Sequence, residues 1–128
     1  MIEIDFDKMQ GIAPAVVQDE QTGEVLMLGF MNSESWRRTI ESGYVTFFSR
    51  TRNKLWMKGE TSGNRLRLIS ASTDCDVDTI LVQVRVEGDG LVCHEGTRSC
   101  FTKQLLGDER AERATARGGL GSGTAERS

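Results

Sequence analysis

The chain has 128 residues, 38% hydrophobic and 27% charged, with a formal net charge of −3. That size and composition fit one small globular domain, and no apolar run approaches the ~18 residues a membrane span needs. The near-neutral charge argues against general nucleic-acid binding, and Met1-Ile2-Glu3-Ile4-Asp5 has none of the basic-then-apolar character of a secretory signal, so a cytoplasmic protein is expected.

In chain order, residues 12–31 read as two strands around the turn-rich loop Asp19-Glu20-Gln21-Thr22-Gly23. Asn32 or Ser33 then caps a helix through Glu34, Trp36 and Ile40, and Gly43 stops it. The spacing of four puts Trp36 and Ile40 on one face, expected to point inward. Tyr44 to Ser49 and Leu55 to Lys58 read as strands joined by Arg50-Thr51-Arg52-Asn53. After the break from Gly59 to Asn64, Arg65-Leu66-Arg67-Leu68-Ile69 alternates as a half-buried strand does, and Ile80, Val82, Val84 and Val86 do so again within 79–87. Residues 107–128 hold five glycines in 22 positions and little apolar content besides Leu120; they read as a flexible tail without a catalytic role, leaving 1–106 as the domain.

Three segments carry chemistry. Asp74-Cys75-Asp76-Val77-Asp78 sets three carboxylates at alternate positions. A straight strand would hold Asp74 and Asp78 roughly 13 Å apart at ~3.3 Å per residue, so binding one ion requires the chain to curl. Spacing alone leaves a solvated acidic loop open. A calcium EF-hand is excluded, because Thr79 and Arg85 stand where it needs glycine and glutamate. Cys93-His94-Glu95-Gly96-Thr97-Arg98-Ser99-Cys100 supplies two of the three cysteines and the only histidine. Three thiolates would leave a fourth position open on zinc, the pattern of a catalytic site; buried apolar thiols are the alternative. Such a thiolate-rich zinc acidifies water less than one held by neutral imidazoles, and a nearby base such as His94 would compensate. Lys58-Gly59-Glu60-Thr61-Ser62-Gly63-Asn64 has glycines that let backbone N–H groups approach an anion, or forms only a tight connection. Between Arg50 and Arg67, six basic residues (Arg50, Arg52, Lys54, Lys58, Arg65, Arg67) face one acid, Glu60, a local charge of +5. That is either a phosphate-binding surface or a solvated strand face.

Taken in order, Ser49-Arg50-Thr51-Arg52, Leu55-Trp56, the Lys58 to Asn64 run, Asp74 to Asp78, Cys93-His94 and Arg98-Ser99-Cys100-Phe101 closely resemble the phosphoribosyl-AMP cyclohydrolase family over roughly residues 10–102. The resemblance implies hydrolysis of the purine N1–C6 bond of 1-(5-phosphoribosyl)-AMP in histidine biosynthesis. It implies one zinc per subunit on Cys75, Cys93 and Cys100, drawn from both subunits of an intertwined homodimer, and magnesium on Asp74, Asp76 and Asp78. His94 is then the expected catalytic base for a zinc-activated water. Arg50, Arg52, Lys58, Glu60, Thr61, Ser62, Gly63, Asn64, Arg98 and Ser99 are the expected substrate contacts. The fold expected is β-rich, all-β to α+β, a small pseudobarrel of mixed strands with one main helix. With only a short tail after Phe101, the form without a pyrophosphohydrolase domain is expected. The rival reading is a non-catalytic zinc-stabilised module that binds a nucleotide. The chain departs from the family at Leu66, where glutamine is frequent, at Glu95, where threonine is usual, and at Phe48, where tryptophan is frequent.

Overall fold

The computed structural model describes residues 2–107; the expected tail lies, beyond Gly107, outside the described residues. After a single 3₁₀ turn at Phe6–Met9, six strands and one α-helix follow: β1 Ala13–Asp19, β2 Val25–Met31, α1 Ser33–Ser42, β3 Thr46–Ser49, β4 Lys54–Met57, β5 Leu66–Thr73 and β6 Ile80–Val86. The β-rich class with one main helix is as the sequence indicates. The strands form an open four-stranded sheet in the order β2-β1-β6-β5 and a separate β3–β4 hairpin, so no barrel closes among the described residues. β1 runs parallel to β6, and the other pairings are antiparallel.

The period-two pattern decides which side chains form the core. Ala13, Ala15 and Val17 of β1 alternate inward and meet Leu26 and Met31 of β2 and Ile80, Val82 and Val84 of β6. Phe47 of β3 lies against the backbone of β2, and a Cβ built on Gly29 would sit 2.6 Å from its ring, which is why glycine stands there. Trp56 of β4 covers the same ring at 4.9 Å between centroids.

The helix starts and stops where its caps direct. Asn32 Oδ1 accepts the Ser35 N–H at 2.8 Å and Ser35 Oγ accepts the Asn32 N–H at 2.9 Å; Gly43, at φ 80°, closes the other end. Its inward face differs from the expectation. Ser35 and Thr39 are fully buried, Trp36 is partly buried, and Ile40 is 53% exposed. Thr39 Oγ1 accepts the Thr46 N–H at 2.9 Å and donates to the Ser35 carbonyl at 2.8 Å, so the helix approaches β3 through small polar side chains. β5 runs past Ile69 to Thr73 because the register shifts between Leu68 and Ser70, a bulge that leaves Ile69 42% exposed. Among the described residues no helix is long and apolar enough to cross a membrane.

Candidate functional site

The acidic segment forms the tight connection from β5 to β6, and it curls as a shared cation would require. Asp74 Oδ1 accepts the backbone N–H groups of Asp78 at 3.1 Å and Thr79 at 3.2 Å, and the Val77 N–H returns to the Asp74 carbonyl at 3.1 Å. Val77 adopts φ 55°, a left-handed conformation costly for a β-branched residue that closes the turn. One carboxylate oxygen each from Asp74, Asp76 and Asp78 lies within 4.8 Å of the others. Burial works to raise the Asp74 carboxyl, but hydrogen bonding with Asp78 and Thr79, led by the Asp78 N–H, outweighs this and holds it below the ordinary carboxylate range. The N-terminal segment braces the loop: the Asp5 N–H reaches the Val77 carbonyl at 2.8 Å and Lys8 Nζ donates to the Asp76 carbonyl. Oxygen donors at this spacing suit a hard divalent cation.

Cys93 and Cys100 lie beyond the other end of β6, in a loop that folds back on itself. The Cys93 N–H donates to the Thr97 carbonyl at 3.0 Å and the Gly96 N–H to the Cys93 carbonyl at 2.9 Å. The Glu95 backbone N–H, aimed at the Cys93 sulfur, lowers that thiol below its ordinary value, and the Thr97 and Cys100 side chains add to this against the opposing burial. Burial and the neighbouring Cys93 raise the Cys100 thiol, while the nearby Lys58 ammonium opposes them. Two neighbouring thiols are ligands suited to a soft or borderline metal. Cys75, exposed in the acidic turn, does not join them: among the described residues only the three aspartates form a cluster of three or more ligating side chains. His94 is exposed on the loop beside Cys93. Glu95, for which the sequence offers no role, presents its N–H to the sulfur and its carboxylate to Lys103 at 3.3 Å.

The expected substrate residues divide into two groups. Arg52 and Glu60 line a cavity of about 500 Å³ with Ser49, Thr51, Lys54 and Trp56. Arg50, Thr61, Ser62 and Gly63 are exposed nearby in the chain, and Arg50, Arg52 and Lys58 have no ion-pair partner among the described residues. Asn64, Arg98 and Ser99 have partners within the fold. Asn64 joins two turns, donating from Nδ2 to the Leu91 carbonyl at 3.0 Å and accepting the Asp89 N–H at 2.8 Å. Arg98 is held by Asp19 and Glu24, and the Ser99 hydroxyl donates to the Val25 carbonyl at 2.8 Å. Leu66 is fully buried in the core, so this chain offers no polar contact at that position. Asp19 and Glu24 escaped sequence reasoning because they look like ordinary hairpin-loop acids.

Comparison with known proteins adds to this geometry. The family model described as phosphoribosyl-AMP cyclohydrolase matches residues 27–102. The phosphoribosyl-AMP cyclohydrolase of Desulfatibacillum aliphaticivorans is 54% identical over 109 residues, 85% of this chain and 86% of that protein. The one from Solibacter usitatus is 52% identical over 104 residues, 81% of this chain and 82% of its own length. The histidine biosynthesis bifunctional protein HisIE of Bacteroides thetaiotaomicron is 56% identical over 100 residues, 78% of this chain and 48% of that protein, so the chain spans about half the length of the bifunctional relative. The class is that of these relatives, a hydrolytic enzyme of histidine biosynthesis. The chain belongs to the phosphoribosyl-AMP cyclohydrolase family.

Proposed function

We propose that the protein opens the purine ring of 1-(5-phosphoribosyl)-AMP by hydrolysing the N1–C6 bond, as a cytoplasmic homodimer that uses one zinc per subunit and magnesium. The observation that carries this reading is that both ligand clusters and His94 fall inside the matched residues 27–102.

The residues present fit both ions. Asp74, Asp76 and Asp78 would hold magnesium, their oxygens already within 4.8 Å of one another, and its charge would then be available to a substrate phosphate. Cys93 and Cys100 would supply two ligands to zinc, and the third thiolate would be Cys75 of a second copy. When bound, zinc supplies Lewis acidity that lowers the pKa of water toward neutrality.

The chain's own groups do the rest. His94, exposed beside Cys93, takes a proton from the attacking water. The water oxygen bonds to C6, the C6–N1 bond breaks with its electron pair passing to N1, and N1 takes up a proton. The exocyclic amine stays on C6, which becomes a carboxamide. Arg50, Arg52 and Lys58, cations without carboxylate partners among the described residues, hold the phosphates, and the cavity beside Trp56 receives the nucleotide.

Absorbance-monitored ring opening of phosphoribosyl-AMP by zinc-depleted and zinc-restored protein tests this reading. Turnover that disappears with zinc and returns with it is the expected result. A folded, zinc-loaded protein without turnover would replace it with a nucleotide-binding module.

A further inference from the structure

The sequence places Arg98 and Ser99 next to Cys100, where a cation and a hydroxyl suggest contacts to a phosphorylated substrate. Their surroundings indicate another task. Asp19, at the end of β1, is 6% exposed and accepts the N–H groups of Gln21 at 2.7 Å and Thr22 at 3.0 Å through Oδ1, leaving Oδ2 for the Arg98 guanidinium. Glu24, across the same turn, accepts from Arg98 Nε at 2.7 Å. One guanidinium therefore faces two carboxylates, and a phosphate approaching it would meet a net negative charge. Ser99 is 9% exposed; its hydroxyl donates to the Val25 carbonyl at 2.8 Å and accepts the Phe101 N–H at 3.0 Å. Between these anchors the Cys100 N–H donates to the Leu26 carbonyl at 2.7 Å. Side chains at 98 and 99 and the backbone at 100 thus fasten one stretch of loop to residues 19–26.

We propose that Arg98, Ser99, Asp19 and Glu24 are positioning residues that dock the Cys93–Cys100 loop on the β1–β2 hairpin and set its two sulfurs side by side before a metal arrives. This rests on the zinc reading given above. A guanidinium suits the task because its planar fork satisfies two carboxylates at once, whereas an ammonium is a single point charge. The docking also removes most of the loop's freedom before binding, so that ordering cost no longer opposes metal affinity.

The test uses the full chain with Arg98→Lys, Asp19→Asn and Ser99→Ala, and three readouts. The first is amide hydrogen exchange of residues 96–101 in metal-free protein. The wild-type Cys100 amide is expected to be protected, and each variant to exchange at least about tenfold faster there while the β1 and β6 amides are unchanged. The second is zinc affinity by competition with a chromogenic chelator, expected to fall about 10–100-fold in Arg98→Lys. The third is steady-state kinetics at saturating zinc, where KM is expected to stay at the wild-type value. Asp19→Asn combined with Arg98→Lys is expected to cost little more than either alone, because the two act as one unit. An unprotected loop in the metal-free wild type overturns the proposal. So does a raised KM with zinc affinity unchanged, which would make Arg98 a substrate ligand. Wild-type protein that takes up no zinc, yet shows a protected loop loosened by these variants, would remove the metal reading and leave the docking supported.

Discussion

The two ends of the sheet build their clusters of ligating side chains in opposite ways. At one end, five consecutive residues make the acidic turn, and the bonds that close it on itself span at most five positions, with Asp5 and Lys8 bracing it from outside. At the other end, the thiol loop is tied to partners 73 to 79 positions away, at Asp19, Glu24, Val25 and Leu26. β6 leads from one to the other, and among the described residues Cys75 does not come within ligating distance of the other two sulfurs as a set of three. The oxygen cluster is thus complete in one chain, while the sulfur cluster has two of its three proposed members. A second copy that brings its acidic turn to the thiol loop would complete the sulfur set and place both clusters at one site.

The largest effects test that division. Cys75→Ser and Cys93→Ser should each lower turnover by more than about 100-fold, beyond the 10–100-fold typical of residues that only support ligands, with zinc lost by elemental analysis. If Cys75→Ser kept both zinc and turnover, the acidic end would contribute nothing to the sulfur site. At that same end, Asp76→Asn should weaken magnesium binding in a calorimetric titration and leave the unfolding midpoint unchanged. Asp74→Ala should weaken binding and also lower the midpoint, because Asp74 accepts the N–H groups that form the turn.

Stability effects follow in size. Thr39→Val should cost about 1–3 kcal/mol in denaturant unfolding, since it leaves the buried Thr46 N–H unpaired. Asp19→Asn separates the ends by pH. Burial works to raise the Asp19 carboxyl, but the Thr22 and Gln21 N–H groups and Arg98 hold it below the ordinary range. Its charge therefore stabilises the fold at neutral pH, and this contribution is lost as pH falls from the ordinary carboxylate value through the lowered one. The wild type should exceed Asp19→Asn in stability at pH 7, with the gap closing below about pH 4. Ile40→Glu, on the exposed helix face, should change stability by no more than about 0.5 kcal/mol.

What was legible in the sequence follows from how local each feature is. The β1–β2 loop, the Asn32 and Gly43 caps, the alternation of β6 and the curl of the acidic turn depend on residues a few positions apart, and all are present. The parallel pairing of β1 with β6 and the bulge at Ile69 depend on distant partners, and the sequence did not reveal them. The same holds within the site. The aspartates and cysteines announce their chemistry by residue type. Asn64, Arg98 and Ser99, which the resemblance implies as substrate contacts, bond to backbone and carboxylates brought in by the fold, partners that the sequence did not reveal. Ile40 shows the reverse error: its helical spacing matches that of Trp36, yet β3 approaches the face carrying Ser35 and Thr39.

The measurement closest to the central claim mixes two inactive variants, Cys75→Ser and Cys93→Ser, under conditions that exchange subunits. In a mixed dimer, one site would combine the intact Cys93 and Cys100 of the first chain with the intact Cys75 of the second. Random pairing should then restore about a quarter of wild-type turnover and zinc content, since half the dimers are mixed and each has one whole site of two. Mixed dimers that form and stay inactive would contradict a sulfur site completed across two copies.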